Sequence, residues 1–350
     1  MFSRVLIANR GEIAIRIART AADLGITTVA VHPKDDASSL HVRRADESVQ
    51  LPGSGARAYL DIAAVIAAAK EARCDAIHPG YGFQSENADF ARACAAAGIA
   101  FIGPSPEALD SFGDKGRAKE IAAAAGVPVI AGTSGAGDAE QIKSFYAALP
   151  AGAAMVIKAI AGGGGRGMRI VRAPAEIDAA FAACTREATM AFGNGAVYAE
   201  RLIEKARHIE VQIAGDGTHV IALGERDCSL QRRHQKIFEI APAPNLDPAL
   251  RRKLHEAAVK LCGSIPYRTL GTAEFLLDVS TGDFAFIEAN ARLQVEHTVT
   301  EEVTGLDLVR CQFELAAGRT LTELGLTQTP PVRGYAIQSR VNLEKMTPDG

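Results

Sequence analysis

Glu274-Phe275-Leu276-Leu277-Asp278-Val279-Ser280-Thr281-Gly282-Asp283-Phe284-Ala285-Phe286-Ile287-Glu288 reads as two strands joined by a tight turn. Ser280-Thr281-Gly282 has the form of a three-residue hairpin loop with glycine at the left-handed position. Closing the hairpin there sets Val279 opposite Asp283, and counting outward brings Glu274 opposite Glu288. Like charges directly opposite on a sheet are destabilising. A cation between them removes the conflict, and hard oxygen ligands beside phosphates suit Mg²⁺.

The second strand is expected to run on through Ala289-Asn290-Ala291-Arg292-Leu293-Gln294-Val295-Glu296. Glu288, Asn290, Arg292, Gln294 and Glu296 share one parity, so an extended strand sets five polar groups on one face. Alternation alone also describes a solvent-exposed polar face. This row, however, continues the paired glutamates and mixes metal-ligand, guanidinium and carboxylate chemistry, as a site requires. Upstream, Gln231-Arg232-Arg233-His234-Gln235-Lys236 is either a solvated basic patch or a source of cations for an anionic intermediate. Ile209–Ala214, a Gly-Asp-Gly turn and His219–Leu223 continue the antiparallel pattern from residue 203 onward.

Between residues 131 and 202 lies a small glycine-rich unit. Gly162-Gly163-Gly164-Gly165-Arg166-Gly167 satisfies G-x-G-x-x-G, the dinucleotide fingerprint, which demands a helix after the glycines. Met168–Arg172 alternates like a strand instead, and Pro174 follows. The context is a glycine hairpin; a dehydrogenase requires a helix after Gly167. Backbone N–H groups of such a hairpin can close over a triphosphate, with Lys158 on the preceding strand as a point charge. A mobile surface turn with a snorkelling lysine is the other reading.

The first hundred residues alternate strand and helix. Arg4–Ala8, Ile26–Val31, Asp75–His78 and Ile99–Ile102 read as strands, with helices from Gly11, over Ala63–Ala72 and over Ala88–Ala97. This order predicts an open parallel α/β sheet covered on both faces. Gly103-Pro104-Ser105-Pro106 marks its end, and a helix over Lys119–Ala125 and a strand over Val127–Ile130 follow.

Apolar residues make up 48% and charged residues 23% of the 350-residue chain, ordinary for a globular protein. Lys and Arg number 38 against 41 Asp and Glu, a net charge of −3, so no global field recruits nucleic acid or an anionic membrane. No window approaches a membrane span, and Val5–Ala8 is too short for a signal-peptide core. Cysteines 74, 94, 184, 228, 262 and 311 form no C-x-x-C pair. Reduced structural thiols in a cytoplasmic protein are expected.

Together these pieces resemble the biotin carboxylase family of ATP-grasp enzymes, as found in acyl-CoA carboxylases, from residue 3 to residue 340. The strings that carry the likeness are Ile7–Glu12, His78–Phe83, Gly113–Lys115, the glycine run, Glu225–Ser229, Arg232–Lys236 and Arg292–His297. The resemblance implies an N-terminal α/β domain over 1–112, a linking helix and strand over 113–130, a glycine-rich lid over 131–202 and an ATP-grasp C-terminal domain over 203–350. It implies that Lys115 and Lys158 hold ATP phosphates under Gly164 and Gly165, that Glu200, Arg201, Leu202 and Ile203 line the adenine pocket, and that His208, Gln231 and His234 complete nucleotide binding. Glu274, Glu288 and Asn290 would hold Mg²⁺ or Mn²⁺, agreeing with the hairpin count. Lys236, Arg292, Gln294 and the Val295 N–H would bind bicarbonate, Glu296 would be its base, and Arg340 would stabilise the biotin enolate near Tyr81.

The implied reaction activates bicarbonate with ATP to carboxyphosphate and carboxylates biotin on a separate carrier domain, which then serves a carboxyltransferase. No biotin acceptor like Ala-Met-Lys-Met is present, and homodimers are common in the family. The family's C-terminal domain runs on past Gly350, so that lobe is expected to be incomplete. Gln338-Ser339 stands before Arg340 where the family more often has Glu and Cys. Two rivals remain: another ATP-grasp carboxylate ligase, and a nucleotide-binding fragment without turnover.

Overall fold

The switches between a period of two and a period of 3.6 along the first hundred residues each mark a change of element. The structure is a computed structural model and describes residues 1–133, 135–160, 167–232 and 235–341. The elements of the first unit are β1 (Arg4–Ile7), α1 (Gly11–Asp23), β2 (Thr27–His32), α2 (Leu40–Arg44), β3 (Glu47–Gln50), α3 (Ile62–Glu71), β4 (Ala76–His78), α4 (Ala88–Ala96) and β5 (Ala100–Phe101). Their strands form one parallel sheet in the order β3-β2-β1-β4-β5. Sequence reading missed β3, a mostly exposed edge strand without apolar alternation. On α1, Ile13, Ala14, Ile17, Ala18 and Ala21 are buried at helical spacing.

Pro106 opens α5 (Pro106–Gly113), with Ser105 Oγ accepting from the Ala108 N–H at 3.2 Å. Asp114 caps α6 (Lys115–Ala124) in the same way, accepting from the Arg117 N–H at 2.9 Å. The strand expected over Val127–Ile130 reduces to one bridge between Val129 and Phe286. Pro128 lacks an N–H to donate to a ladder, and its carbonyl accepts from the Phe286 N–H at 2.7 Å.

The glycine-rich unit comprises α7 (Ala139–Ala148), β6 (Met155–Ala159), β7 (Met168–Val171), α8 (Ile177–Phe192) and β8 (Val197–Arg201), its antiparallel strands ordered β7-β6-β8. It has its own small core around Ile142, Met155, Ile157, Val171 and Cys184. Gly167 leads into β7, not a helix, which removes the dinucleotide context. Gly164 and Gly165 lie outside the described residues, as does His234.

The remaining elements are β9 (Ala206–Asp216), β10 (Val220–Arg232), β11 (Gln235–Ala241), α9 (Pro248–Gly263), β12 (Arg268–Asp278), β13 (Phe284–Asn290), α10 (His297–Thr304), α11 (Leu308–Ala316) and β14 (Ala336–Ser339). Their strands form a six-stranded antiparallel sheet ordered β13-β12-β9-β10-β11-β14. One face packs on α5, α6 and α9 through Phe112, Ala118, Leu254, Leu261 and Phe275. A second core runs from Val5, Ile7, Ile13 and Ile17 to Leu223, Leu270, Leu293 and Phe313, fixing the parallel unit against the larger sheet. The six cysteines are buried free thiols. No helix among the described residues is long and apolar enough to cross a membrane.

The hairpin departs from its expected closure. Asp278 and Asp283 join backbones at 2.8 Å, so Leu277, not Val279, begins the ladder by pairing with Phe284. That register is one residue off, but a bulge leaves Ile287 unpaired and restores Glu274 opposite Glu288. The expected outcome is reached by two shifts that cancel. The second strand also stops at Asn290 instead of running to Glu296. Residues 291–296 turn away, and Glu296 becomes the N-cap residue of α10.

Candidate active site

Register across the large sheet lines up Glu288, Glu274, Glu210 and Arg226 on the four neighbouring strands β13, β12, β9 and β10. The paired carboxylates expected from sequence are therefore a row of three. Such a row is unfavourable unless cations interleave it. Lys115 Nζ sits 2.9 Å from Glu288 Oε2. Lys236 Nζ donates to Glu210 at 2.6 Å and to Glu274 at 3.2 Å, and Arg226 Nε pairs with the other Glu210 oxygen. His208, on the same face of β9 as Glu210, bonds Glu274 through Nε2 and meets Gln231 through Nδ1 at 2.9 Å.

These contacts set the protonation states. Burial opposes the charge of Lys236, but Glu210, Glu274 and Glu296 hold its pKa well above the usual lysine value. Burial likewise works against ionised Glu274, and Lys236 with His208 overcomes it, pulling that carboxyl well below its ordinary range. Glu274 in turn raises the His208 imidazole against the effect of its burial.

The segment after β13 brings its polar groups to this row by turning, not by alternating. Asn290 Nδ2 and Gln294 Nε2 both donate to Glu274 Oε1 at 2.7 Å. Arg292 donates through Nη2 to Asn290 Oδ1 at 2.8 Å and through Nε to Glu86 Oε2 at 2.8 Å. Glu296, only 2% exposed, accepts from Lys236 Nζ at 2.7 Å on one oxygen and from Arg340 Nη2 at 2.8 Å on the other. Buried His297 fixes this turn by meeting the Gln294 carbonyl through Nδ1 at 2.8 Å. A cavity of about 280 Å³ is lined by Lys236, Glu274, Glu288, Asn290, Arg292, Gln294, Val295, Glu296 and Arg340. It gathers the expected metal, bicarbonate and base residues in one place.

Next to it, a cavity of about 380 Å³ is walled by Lys158, Arg201, Leu202, Ile203, Met168, Ile170 and Leu276. His208 and Gln231 line both cavities. The apolar walls of one and the charged walls of the other suit a ligand with a flat ring at one end and anions at the other. Glu200 differs from expectation: it does not line this cavity, and its carboxylate bonds Lys158 at 2.6 Å and Lys119. On the far side of Arg340, Tyr81 and Val295 border an open groove of about 690 Å³.

Sequence reading missed Glu210, Arg226, Glu239, Lys119 and Glu86. Glu239 is fully buried on β11 and accepts from Arg340 Nε at 2.6 Å, so Arg340 bridges Glu239 and Glu296. Its signal was a lone acid between Phe238 and Ile240. Arg226 sat inside a quoted string, Glu225–Ser229, with no role attached.

Residues 1–109 match the family model "Biotin carboxylase, N-terminal domain", and residues 114–324 match "Carbamoyl-phosphate synthase L chain, ATP binding domain". A biotin carboxylase from Nostoc sp. is 53% identical over 347 residues, covering 98% of this chain and 76% of that protein. The chain belongs to the biotin carboxylase family. Members of this family are ATP-dependent ligases, and the match falls on their biotin carboxylase region. Human mitochondrial pyruvate carboxylase is 51% identical over 350 residues, covering 97% of this chain. The chain spans 29% of the length of that pyruvate carboxylase. The biotin carboxylase domain of Hydrogenobacter thermophilus 2-oxoglutarate carboxylase superposes with a TM-score of 0.92 at 43% identity, covering 98% of this chain and 75% of that one. That domain was solved as a dimer with MgADP, ADP and bicarbonate.

Proposed function

We propose that the chain performs the biotin-carboxylating half-reaction, with bicarbonate in the charged cavity and ATP in the adjoining one. The carrying observation is Glu296, buried between Lys236 and Arg340 at 2.7 and 2.8 Å on the wall of a cavity that shares His208 and Gln231 with its neighbour. A carboxylate base held between two cations, beside Arg292, Gln294 and the Val295 N–H, suits a small planar anion that must lose a proton.

Lys236 and Arg292 bind and orient bicarbonate, and Glu296 takes its proton. The bicarbonate oxygen then attacks the γ-phosphoryl group of ATP, forming carboxyphosphate and releasing ADP. Lys115 and Lys158 offset the charge crowded there. The carboxylate and amide oxygens of Glu274, Glu288 and Asn290 are hard donors that fit Mg²⁺ or Mn²⁺, which when bound neutralises phosphate charge. Carboxyphosphate yields CO₂ and phosphate, phosphate removes the N1 proton of biotin, and Arg340 stabilises the resulting oxyanion with Tyr81 nearby. Biotin N1 then bonds to CO₂. The resemblance also assigns Gly164, Gly165 and His234, which lie outside the described residues, to the nucleotide.

On this reading 1–112, 113–130, 131–202 and 203–350 act as the α/β domain, link, lid and C-terminal ATP-grasp domain. The partners are a biotin carrier domain and a carboxyltransferase, and a homodimer like that of the Hydrogenobacter domain is part of the proposal. Six buried free thiols support a reducing, cytoplasmic setting.

ATP hydrolysis with Mg²⁺ and bicarbonate, with and without free biotin, tests it. Stimulation that needs both bicarbonate and biotin is expected. Turnover on a different carboxylate makes the chain another ATP-grasp ligase, and ATP binding without turnover makes it a nucleotide-binding fragment.

A further inference from the structure

Lys119 stands one helical turn beyond Lys115 on α6, so both ammonium groups leave the same face of the helix. Like charges at this spacing repel, and each has a carboxylate of its own. Lys115 Nζ lies 2.9 Å from Glu288 Oε2, while Lys119 Nζ meets Glu200 Oε1. The other Glu200 oxygen accepts from Lys158 Nζ at 2.6 Å. Lys158 and Tyr198 are register partners across β6 and β8, and Glu200 follows Tyr198 on the same strand face. Lys119 Nζ also lies 4.8 Å from the centre of the Tyr198 ring, within reach of a cation–π contact.

The charge of this corner does not cancel. Glu200 is 2% exposed and lends its single negative charge to two ammonium groups, so the set carries one net positive charge. Lys119 keeps 20% of its side chain accessible and Lys158 keeps 27%. Lys158 lines the cavity assigned to the nucleotide and Lys119 does not, so the surplus reaches that space through Lys158, with Lys119 behind it on the shared Glu200 carboxylate. Phosphate oxygens are the anions such a surplus selects, with Lys as a point charge that follows them on a flexible stem.

We infer that Lys119 is a third cation of the nucleotide site, completing a cradle for the polyphosphate with Lys115 and Lys158. Glu200 is the built-in counter-anion, and the phosphate oxygens take over its hold on the lysines when nucleotide enters. This inference rests on the nucleotide reading above. It also gives the buried Glu200 carboxylate a role that the adenine-pocket expectation did not.

Calorimetric titration of wild type, Lys119→Gln and Lys119→Arg with MgATP, MgADP and adenosine provides the test, adenosine being read by competition. Loss of one charge-assisted contact is expected to weaken MgATP and MgADP by about tenfold in Lys119→Gln. Adenosine affinity stays unchanged, and Lys119→Arg recovers most of the phosphate-dependent binding. Wild-type MgATP affinity in Lys119→Gln overturns the inference alone. An equal loss for adenosine also overturns it, because Lys119 then only braces α6 against β8. A wild-type chain that binds no MgATP overturns the nucleotide reading and this inference with it.

Discussion

Arg226→Met is expected to cost about 3–5 kcal/mol of folding stability, the usual loss when one partner of a buried ion pair is removed. The guanidinium is fully buried. Its Nε pairs with Glu210, Nη1 donates to Gln212 Oε1 at 2.8 Å and Thr300 Oγ1 at 2.9 Å, and Nη2 donates to Thr272 Oγ1 at 3.2 Å and Gln294 Oε1 at 2.8 Å. Methionine fills much of the volume but leaves Glu210 with Lys236 alone and strands four oxygen acceptors away from water. The change reaches the reaction as well. Gln294 loses the contact that aims its amide N–H at Glu274, and Thr300 sits one helical turn after Glu296 on α10. Urea unfolding of both proteins reads the stability change, and a wild-type midpoint for Arg226→Met would show that the hub carries no weight. Arg226→Lys keeps the charge but not the fork, so it recovers the Glu210 pair and not the Gln294 contact.

Much of this arrangement was legible because its signals are local. The strand and helix periods of the first hundred residues and the strand after Gly167 each follow from a few neighbouring residues. The pairing of Glu274 with Glu288 was legible for a less secure reason. Counting from Ser280-Thr281-Gly282 starts the turn one residue late, after Val279 instead of Asp278, and the bulge at Ile287 returns the count. Nothing in the apolar run Phe284–Ile287 announces a bulge, because each of its residues can face either way into apolar surroundings.

The rest was hidden because it depends on register between distant strands. Glu210 lies in the run His208–Ala214, where alternation of polar and apolar residues describes an ordinary half-buried strand. Only its alignment with Glu274 on one side and Arg226 on the other makes it part of a charge row. The turn after Asn290 was hidden by an accident of parity: Arg292, Gln294 and Glu296 alternate in sequence yet converge through a bend. The polar face expected of a strand is instead a pocket wall. A bend gives closer convergence than a strand could, because alternate residues on an extended chain stand about 7 Å apart. Lys236 reaches Glu210, Glu274 and Glu296 together because the chain turns.

That convergence makes Glu296 the most sensitive single position for turnover. In Glu296→Gln the side chain keeps its shape but loses its charge, and its amide N–H₂ must face either Lys236 or Arg340. Removal of a positioned base typically costs 10²–10⁴-fold in rate, and the biotin-dependent turnover of Glu296→Gln is expected to fall by about that much. The nucleotide cavity does not include Glu296, so MgATP affinity is expected to stay at the wild-type value. Loss of turnover with unchanged nucleotide binding is the signature of an interaction made in the transition state and not in the ground state. Glu296→Asp separates the two parts of the role: it keeps a base but draws it back from Lys236 and Arg340, so part of the rate returns and the KM for bicarbonate rises. Steady-state kinetics with bicarbonate and free biotin varied in turn reads both. Wild-type turnover in Glu296→Gln would remove Glu296 from the chemistry and leave it as a strut between Lys236 and Arg340.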